Sequence, residues 1–88
     1  MGDIHGSLAD CDTAIGLEPE NAWFYYIRAM VKGKLDDLQG ALADCDKAIE
    51  IDPTKYFYYL HRAGIKKDLY DGRGTEEDLK KCRELKND

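Results

Sequence analysis

The stretch from Asn21 to Pro53, NAWFYYIRAMVKGKLDDLQGALADCDKAIEIDP, reads as two amphipathic helices joined by a short turn. Working outward from it, the flanking sequence repeats it. Pro19 and Pro53 stand 34 positions apart. At that offset Asp3, Gly6, Leu8, Ala9, Asp10, Cys11 and Asp12 match Asp37, Gly40, Leu42, Ala43, Asp44, Cys45 and Asp46. Ala14 and Ile15 match Ala48 and Ile49, and further on Tyr25, Arg28 and Ala29 match Tyr59, Arg62 and Ala63. Self-similarity at one fixed period marks a repeat array, in which each unit buries its apolar face against the next.

Ile4, Leu8, Cys11 and Ile15 recur at helical spacing and predict a first helix from Asp3 to Leu17, with Asp3 placed to accept from its free amides. Glu18-Pro19 ends it, because the residue before a proline is pushed out of helical geometry. Asn21 is the expected cap of a second helix, Ala22 to Lys34. Trp23, Phe24, Tyr25, Tyr26, Ile27, Met30 and Val31 make that helix apolar nearly all round, so it should be covered on several sides. A third helix, Asp37 to Glu50, capped by Asp36 or Asp37, gathers Leu38, Ala41, Leu42, Cys45, Ala48 and Ile49 on one face. Gln39, Asp44, Asp46, Lys47 and Glu50 fall mostly elsewhere on it. A fourth helix, Thr54 to Tyr70, repeats the aromatic run. Asp71-Gly72-Arg73-Gly74 reads as a turn by its glycines, and Thr75 as the start of a last helix. The narrow stripe of that helix, Leu79, Cys82 and Leu85, under a charged outer face, suits the end of an array.

The pattern resembles the tetratricopeptide repeat. That family places an aromatic early in the first helix and a small residue four positions later, as Tyr25 and Ala29, then Tyr59 and Ala63, do here. It places small residues twice in the second helix, where Ser7 and Ala14, Ala41 and Ala48, and Thr75 and Cys82 stand. Pro19 and Pro53 supply its closing proline; Asn87 replaces the next one. The resemblance implies an all-α fold of antiparallel helical hairpins stacked as a right-handed solenoid of about five helices. Residues 1–88 would form a single domain: the second half of a first repeat over 1–20, a second repeat over 21–54 and a third over 55–88. Ala29, Ala41 and Ala48 should mark helix crossings, because axes about 8–10 Å apart leave no room for a larger side chain. Arg28 and Arg62 stand where the family often has leucine. Either their stems pack along the core with the heads reaching out, or they pair with an aspartate on a neighbouring second helix, such as Asp10 or Asp44.

Composition narrows the function classes. The net charge of −5 argues against nucleic acid, whose phosphates need clustered Lys and Arg. No apolar run approaches the ~20 residues of a membrane span. The acidic N-terminus does not look like a secretion signal, so a cytoplasmic location is expected. The three cysteines, Cys11, Cys45 and Cys82, lack metal or disulfide spacing and read as small buried hydrophobes. His5 and His61 are far apart in sequence, and the carboxylates read as helix-surface groups. Asp10-x-Asp12 and Asp44-x-Asp46 lack the glycine and the bidentate glutamate of a calcium loop. Neither an enzyme nor a bound cofactor or metal is expected.

The resemblance implies a concave groove, lined by the first helix of each repeat, that takes an extended peptide or a partner's helix. Trp23, Tyr26, Ile27, Met30 and Lys34 would face it from the middle repeat, and Phe57, Leu60, His61, Gly64 and Lys67 from the last. The family's clamp for C-terminal carboxylates uses lysines and asparagines there. Tyr26, Met30, Leu60 and Gly64 stand here instead, so the clamp is absent and the groove is aromatic and apolar, with lysines at its rim. Aromatics and methionine are enriched in interface cores; the alternative is that Trp23 and Phe57 only pack between repeats. Ile4, Leu8, Trp23 and Tyr26 are also expected to form an open N-terminal face, for want of a helix before the first. Such a face would suit a homodimer, a longer array or a partner's helix. The expected function is therefore a non-enzymatic protein-interaction module, and the alternative an assembly unit that self-associates through that face.

Overall fold

The computed structural model describes residues 4–87, with side chains from Ser7 onward. The expected cap Asp3 and the side chains of Ile4 and His5 lie outside the described residues. Five helices follow one another: α1 Ile4–Leu17, α2 Ala22–Lys34, α3 Leu38–Ile51, α4 Tyr56–Asp68 and α5 Gly72–Lys86. α2 packs against α3 and α4 against α5 as hairpins; α1 joins the stack through α2, and α3 through α4.

The side-chain caps explain where the helices start. The Asn21 carboxamide oxygen accepts from the Trp23 amide at 3.1 Å. Asp37, not Asp36, caps α3, accepting from the Gly40 amide at 2.9 Å. Asp36 instead takes a left-handed conformation, φ 64°, that closes α2. Its amide donates to Gly33 O at 3.1 Å and that of Asp37 to Lys32 O at 2.9 Å. These two bonds satisfy carbonyls that the helix end would otherwise strand. The same turn recurs 34 residues on. Tyr70 sits at φ 62°, and Asp71 caps α5 by accepting from the Gly74 amide at 2.9 Å.

The stretch Asp71–Gly74 is therefore a helix start rather than a turn, and α5 begins at Gly72, three residues before Thr75. Its glycine serves the cap: a Cβ at Gly74, as at Gly40, would run into the carboxylate of the capping aspartate. α4 is shorter at both ends than the aromatic run predicts. Asp52 Oδ1 accepts from the Thr54 amide at 3.1 Å and its hydroxyl at 2.6 Å, which holds Pro53-Thr54 in a turn.

Tyr70 is a bulky residue in the left-handed region with its side chain 97% exposed, so it carries the backbone penalty without a packing return. Tyr70→Gly is expected to raise stability by about 1 kcal/mol, read as a higher urea midpoint at unchanged slope.

The crossing points are as the pattern predicts: Ala29, Ala41 and Ala48 are each 0% exposed. Around them Ala22, Tyr25 and Tyr58 pack with Ala48, while Cys45 and Ile65 pack with Ala29 and Ala41. Tyr25 OH donates to Pro19 O at 3.0 Å and Tyr59 OH to Pro53 O at 3.2 Å, so each first helix is tied to the turn that precedes it.

A polar interlock runs through this apolar stack. Arg28 forks onto Asp44 with both bonds at 2.8 Å and reaches Asp12 with its third nitrogen at 2.7 Å. Lys32 adds a contact to Asp44 at 3.1 Å. The set recurs one repeat later: Arg62 forks onto Asp78 at 2.8 Å, reaches Asp46 at 2.8 Å, and Lys66 joins Asp78 at 3.1 Å. Each guanidinium also lies over the tyrosine three residues before it, at 5.7 Å from the Tyr25 ring and 5.6 Å from the Tyr59 ring. Of the two aspartates expected for Arg28, Asp44 is its partner and Asp10 is not; Asp12 takes the second place. Asp44 and Asp78 also depart from their reading as surface groups, being buried. The reason is that their partners come from a different helix, which no local pattern displays.

Candidate functional site

Aromatic rings from α2 and α4 meet along one side of the stack. Tyr26 lies 5.4 Å from Trp23, 5.4 Å from Phe57, 5.1 Å from Tyr58 and 5.5 Å from His61, centroid to centroid. Trp23 meets Phe57 edge-on at 6.2 Å. These spacings and tilts are those aromatic pairs favour. The cluster is not sealed: Trp23 and, one turn beyond Phe57, Leu60 are each 48% exposed. Tyr26 and Phe57 are half-buried, so the rings both pack between repeats and show a face to solvent.

Two hollows flank this cluster. One, of about 530 Å³, is lined by Met30, Lys34, His61, Gly64 and Lys67, with Leu38 and Ile65 also contributing. The other, of about 750 Å³, lies by the turns and takes in Trp23, Phe57, Glu18, Glu20 and Lys55. Charge differs along the face: Glu18, Glu20 and Asp52 with Lys55 line one hollow, and Lys34 and Lys67 with Asp68 line the other. Of the candidate residues, Trp23, Tyr26, Met30, Lys34, Phe57, His61 and Lys67 line a hollow or join the cluster. Leu60 and the half-buried Ile27 line neither hollow. Tyr26 also departs from its place on the open N-terminal face: its ring neighbours beyond its own helix, Phe57, Tyr58 and His61, are all on α4. Leu38 and Lys55 were not among the candidates, since they belong to other elements and reach the hollows only through packing.

His61 is the histidine of this face. Its Nε2 is buried without a hydrogen-bond partner among the described residues. Burial pushes its pKa below the ordinary 6.5, partly offset by the nearby backbone of Ala29. A depressed folded value means that the stability from a neutral ring is complete above about 6.5 and lost as pH falls through the folded value. His61→Phe keeps the ring contact with Tyr26 and removes the orphaned nitrogen. It is expected to add about 1 kcal/mol at neutral pH and to flatten the fall in melting temperature below pH 6.5.

The cysteines are buried and free. Burial pushes the Cys45 thiol up to about 12 and the Cys11 thiol above its ordinary value, which keeps both protonated at neutral pH. Among the described residues no helix is long and apolar enough to cross a membrane, and no three His, Cys, Asp or Glu side chains converge as metal ligands.

No protein-family model and no curated protein matches the sequence. Solved structures do. The TPR2B domain of yeast Sti1, in its pHsp70 complex, is 30% identical over 94% of this chain, with a TM-score of 0.91. The second TPR of Spaghetti (RPAP3), bound to the HSP90 peptide SRMEEVD, is 21% identical over 96% of this chain, with a TM-score of 0.91. MamA from Desulfovibrio magneticus RS-1, residue 41 to its end, is 20% identical over 96% of this chain, with a TM-score of 0.92. The last two speak for the fold alone. The chain spans 66% of the Sti1 structure, 78% of the RPAP3 structure and 48% of the MamA structure.

Proposed function

Since the chain belongs to the tetratricopeptide repeat family, we propose that it is a protein-interaction module whose α2–α4 face binds an extended peptide through its aromatic cluster. The observation that carries this reading is that Trp23, at the edge of that cluster against Tyr26 and Phe57, is 48% exposed. A tryptophan half open to water and backed by rigid neighbours resembles the anchors that dominate interface energies. The Sti1 relative supports the same reading, since its structure is a complex with pHsp70.

The side chains suggest a different ligand preference from a carboxylate clamp. Tyr26, Met30, Leu60 and Gly64 offer apolar surface where that clamp has lysines and asparagines. Affinity would come from burying apolar peptide side chains on Trp23, Tyr26, Phe57 and Met30. Lys34 and Lys67 would favour an acidic group at one end, and Glu18 and Glu20 a basic group at the other. Such groups set direction and association rate more than affinity. No bond is made or broken; the module acts by holding its partner.

Peptides selected on the full chain by display should be enriched in apolar residues with an acidic flank. Trp23→Ala with Tyr26→Ala should weaken the best of them at least ~30-fold, as for loss of a hot spot of about 2 kcal/mol. Lys34→Glu with Lys67→Glu should remove the acidic preference while leaving apolar binding. Selected peptides that bind the aromatic variant unchanged would refute the reading.

A further inference from the structure

We propose that the hollow beside the C-terminal halves of α2 and α4 is an anchor pocket for one large apolar side chain of the bound peptide, next to an acidic residue, and that Gly64 sets this specificity. Its use presupposes the peptide-binding role proposed for the α2–α4 face. The internal repeat shows how the hollow arises. Gly64 holds in α4 the place that Met30 holds in α2, 34 positions earlier. A Cβ at Gly64 would meet nothing within 4 Å, and the same is true at Gly33, whose counterpart in α4 is Lys67. Both glycines line the hollow of about 530 Å³. Each repeat lacks a side chain where the other has a long one.

Packing does not account for these two glycines. Gly40 and Gly74 make room for a capping aspartate. Gly33 and Gly64 lie within helices, take no left-handed φ and have open space where a side chain would stand. A glycine inside a helix costs stability relative to alanine. At Gly64, which is exposed, what that cost leaves is room on the face that meets the peptide.

The walls say what fills it. Met30, Leu38 and Ile65 are apolar, and a methionine adapts its shape to what packs on it. Ile65 is 5% exposed and held in the core with Ala29, Ala41 and Cys45, which makes one wall rigid. The volume falls within the roughly 300–1,000 Å³ of ligand pockets, room for a large side chain and the backbone that carries it. The charged residues of the lining, Lys34, Lys67 and Asp68, are all exposed. Neither lysine has a carboxylate within salt-bridge reach among the described residues. An acidic residue beside the anchor is therefore matched by two cations, and a basic one is opposed by them.

The test uses peptides selected on the full chain from a random-peptide phage library, then synthesised with a fluorescent label and measured by anisotropy. They should share a Leu, Met, Phe or Trp next to an acidic residue, and changing that anchor to alanine should weaken binding tenfold or more. Gly64→Met gives α4 the side chain that α2 has and fills the hollow. It should weaken the same peptides as much while raising the urea midpoint of the free chain. Gly64→Ala should also raise the midpoint and weaken binding less. Gly64→Met combined with the anchor change should cost no more than either alone, because both remove one contact. Binding lost in Trp23→Ala with Tyr26→Ala but kept in Gly64→Met would overturn the anchor pocket and leave the peptide-binding face standing; the reverse pattern would keep the pocket and refute the aromatic cluster. Additive effects in the cycle would overturn the pocket, as would a midpoint lowered in both Gly64 variants, which would make the glycine structural. A library without binders would overturn pocket and face together. Concentration-dependent dimerisation that Gly64→Met abolishes would overturn the pocket by making a second copy its occupant.

Discussion

Asp78→Ala is expected to destabilise the fold by about 3–5 kcal/mol, because in a poorly solvated place it leaves Lys66 without its counter-ion and Arg62 with only the exposed Asp46. For a small domain that is a large share of a total of about 5–15 kcal/mol. The Asp78 side chain is 4% exposed and that of Arg62 18%, so water can replace little of the lost contact. Asp12→Ala gives the contrast. That carboxylate touches Arg28 at 2.7 Å but is 57% exposed, and its loss should cost at most about 1 kcal/mol. Urea unfolding of the two variants measures the difference; similar costs would mean that the Asp78 pair is screened as a surface pair is. Replacing Arg62 and Lys66 by Met together with Asp78 by Leu should recover most of the loss, since the apolar set leaves no buried charge uncompensated and Asp46, 56% exposed, stays solvated.

The same carboxylate sets the acid limit. Burial pushes the Asp78 pKa up, but the hydrogen bonds from Arg62 and Lys66 prevail and hold it below the ordinary 3.8. With the folded value depressed, the stability it contributes is complete above about 3.8 and lost as pH falls through the folded value. The His61 effect acts at higher pH, so an acid titration should show two separate losses, the first absent in His61→Phe.

Ala48→Leu is expected to cost about 1–3 kcal/mol by overpacking the α2–α3 crossing, which for a domain of this size lowers the melting temperature by roughly 4–8 °C per kcal/mol. Ala48 is 0% exposed, so the added carbons can be placed only by forcing the helices apart. Its counterpart Ala14 lies on α1, half-buried, and Ala14→Leu should be nearly neutral. A negligible cost at Ala48 would mean that it marks no crossing, and an equally large cost at Ala14 that its face is as tightly packed as that of Ala48. The pair thus reads out, from stability alone, whether the α1 face is as open as the geometry has it.

Much of this architecture was legible because local rules act within one helix or turn. Asn21, and one of Asp36 and Asp37, could be read as caps since an Asx side chain before an apolar run has few other uses; the structure chose Asp37. Gly72 and Gly74 misled because glycine also breaks helices; the clue was Asp71-x2-Gly74 repeating Asp37-x2-Gly40, where the missing Cβ makes room for the cap. The site was less legible. Membership of Trp23, Tyr26 and Phe57 in one cluster rests on α2 and α4 lying side by side, and the sequence places these helices thirty-odd residues apart with a whole helix between them.

The sequence by itself determined the period and the number of helices, which follow from apolar spacing, a property of single residues. Their pairing into hairpins and the alanines at the crossings came from the family resemblance that this period carries. The tertiary structure alone decided that Asp44 and Asp78 are buried and that each takes an arginine sixteen positions away in sequence. The physical reason is that a charge becomes core or surface through what covers it, and the covering helix is set by packing between elements rather than by the residue's own neighbours in the chain.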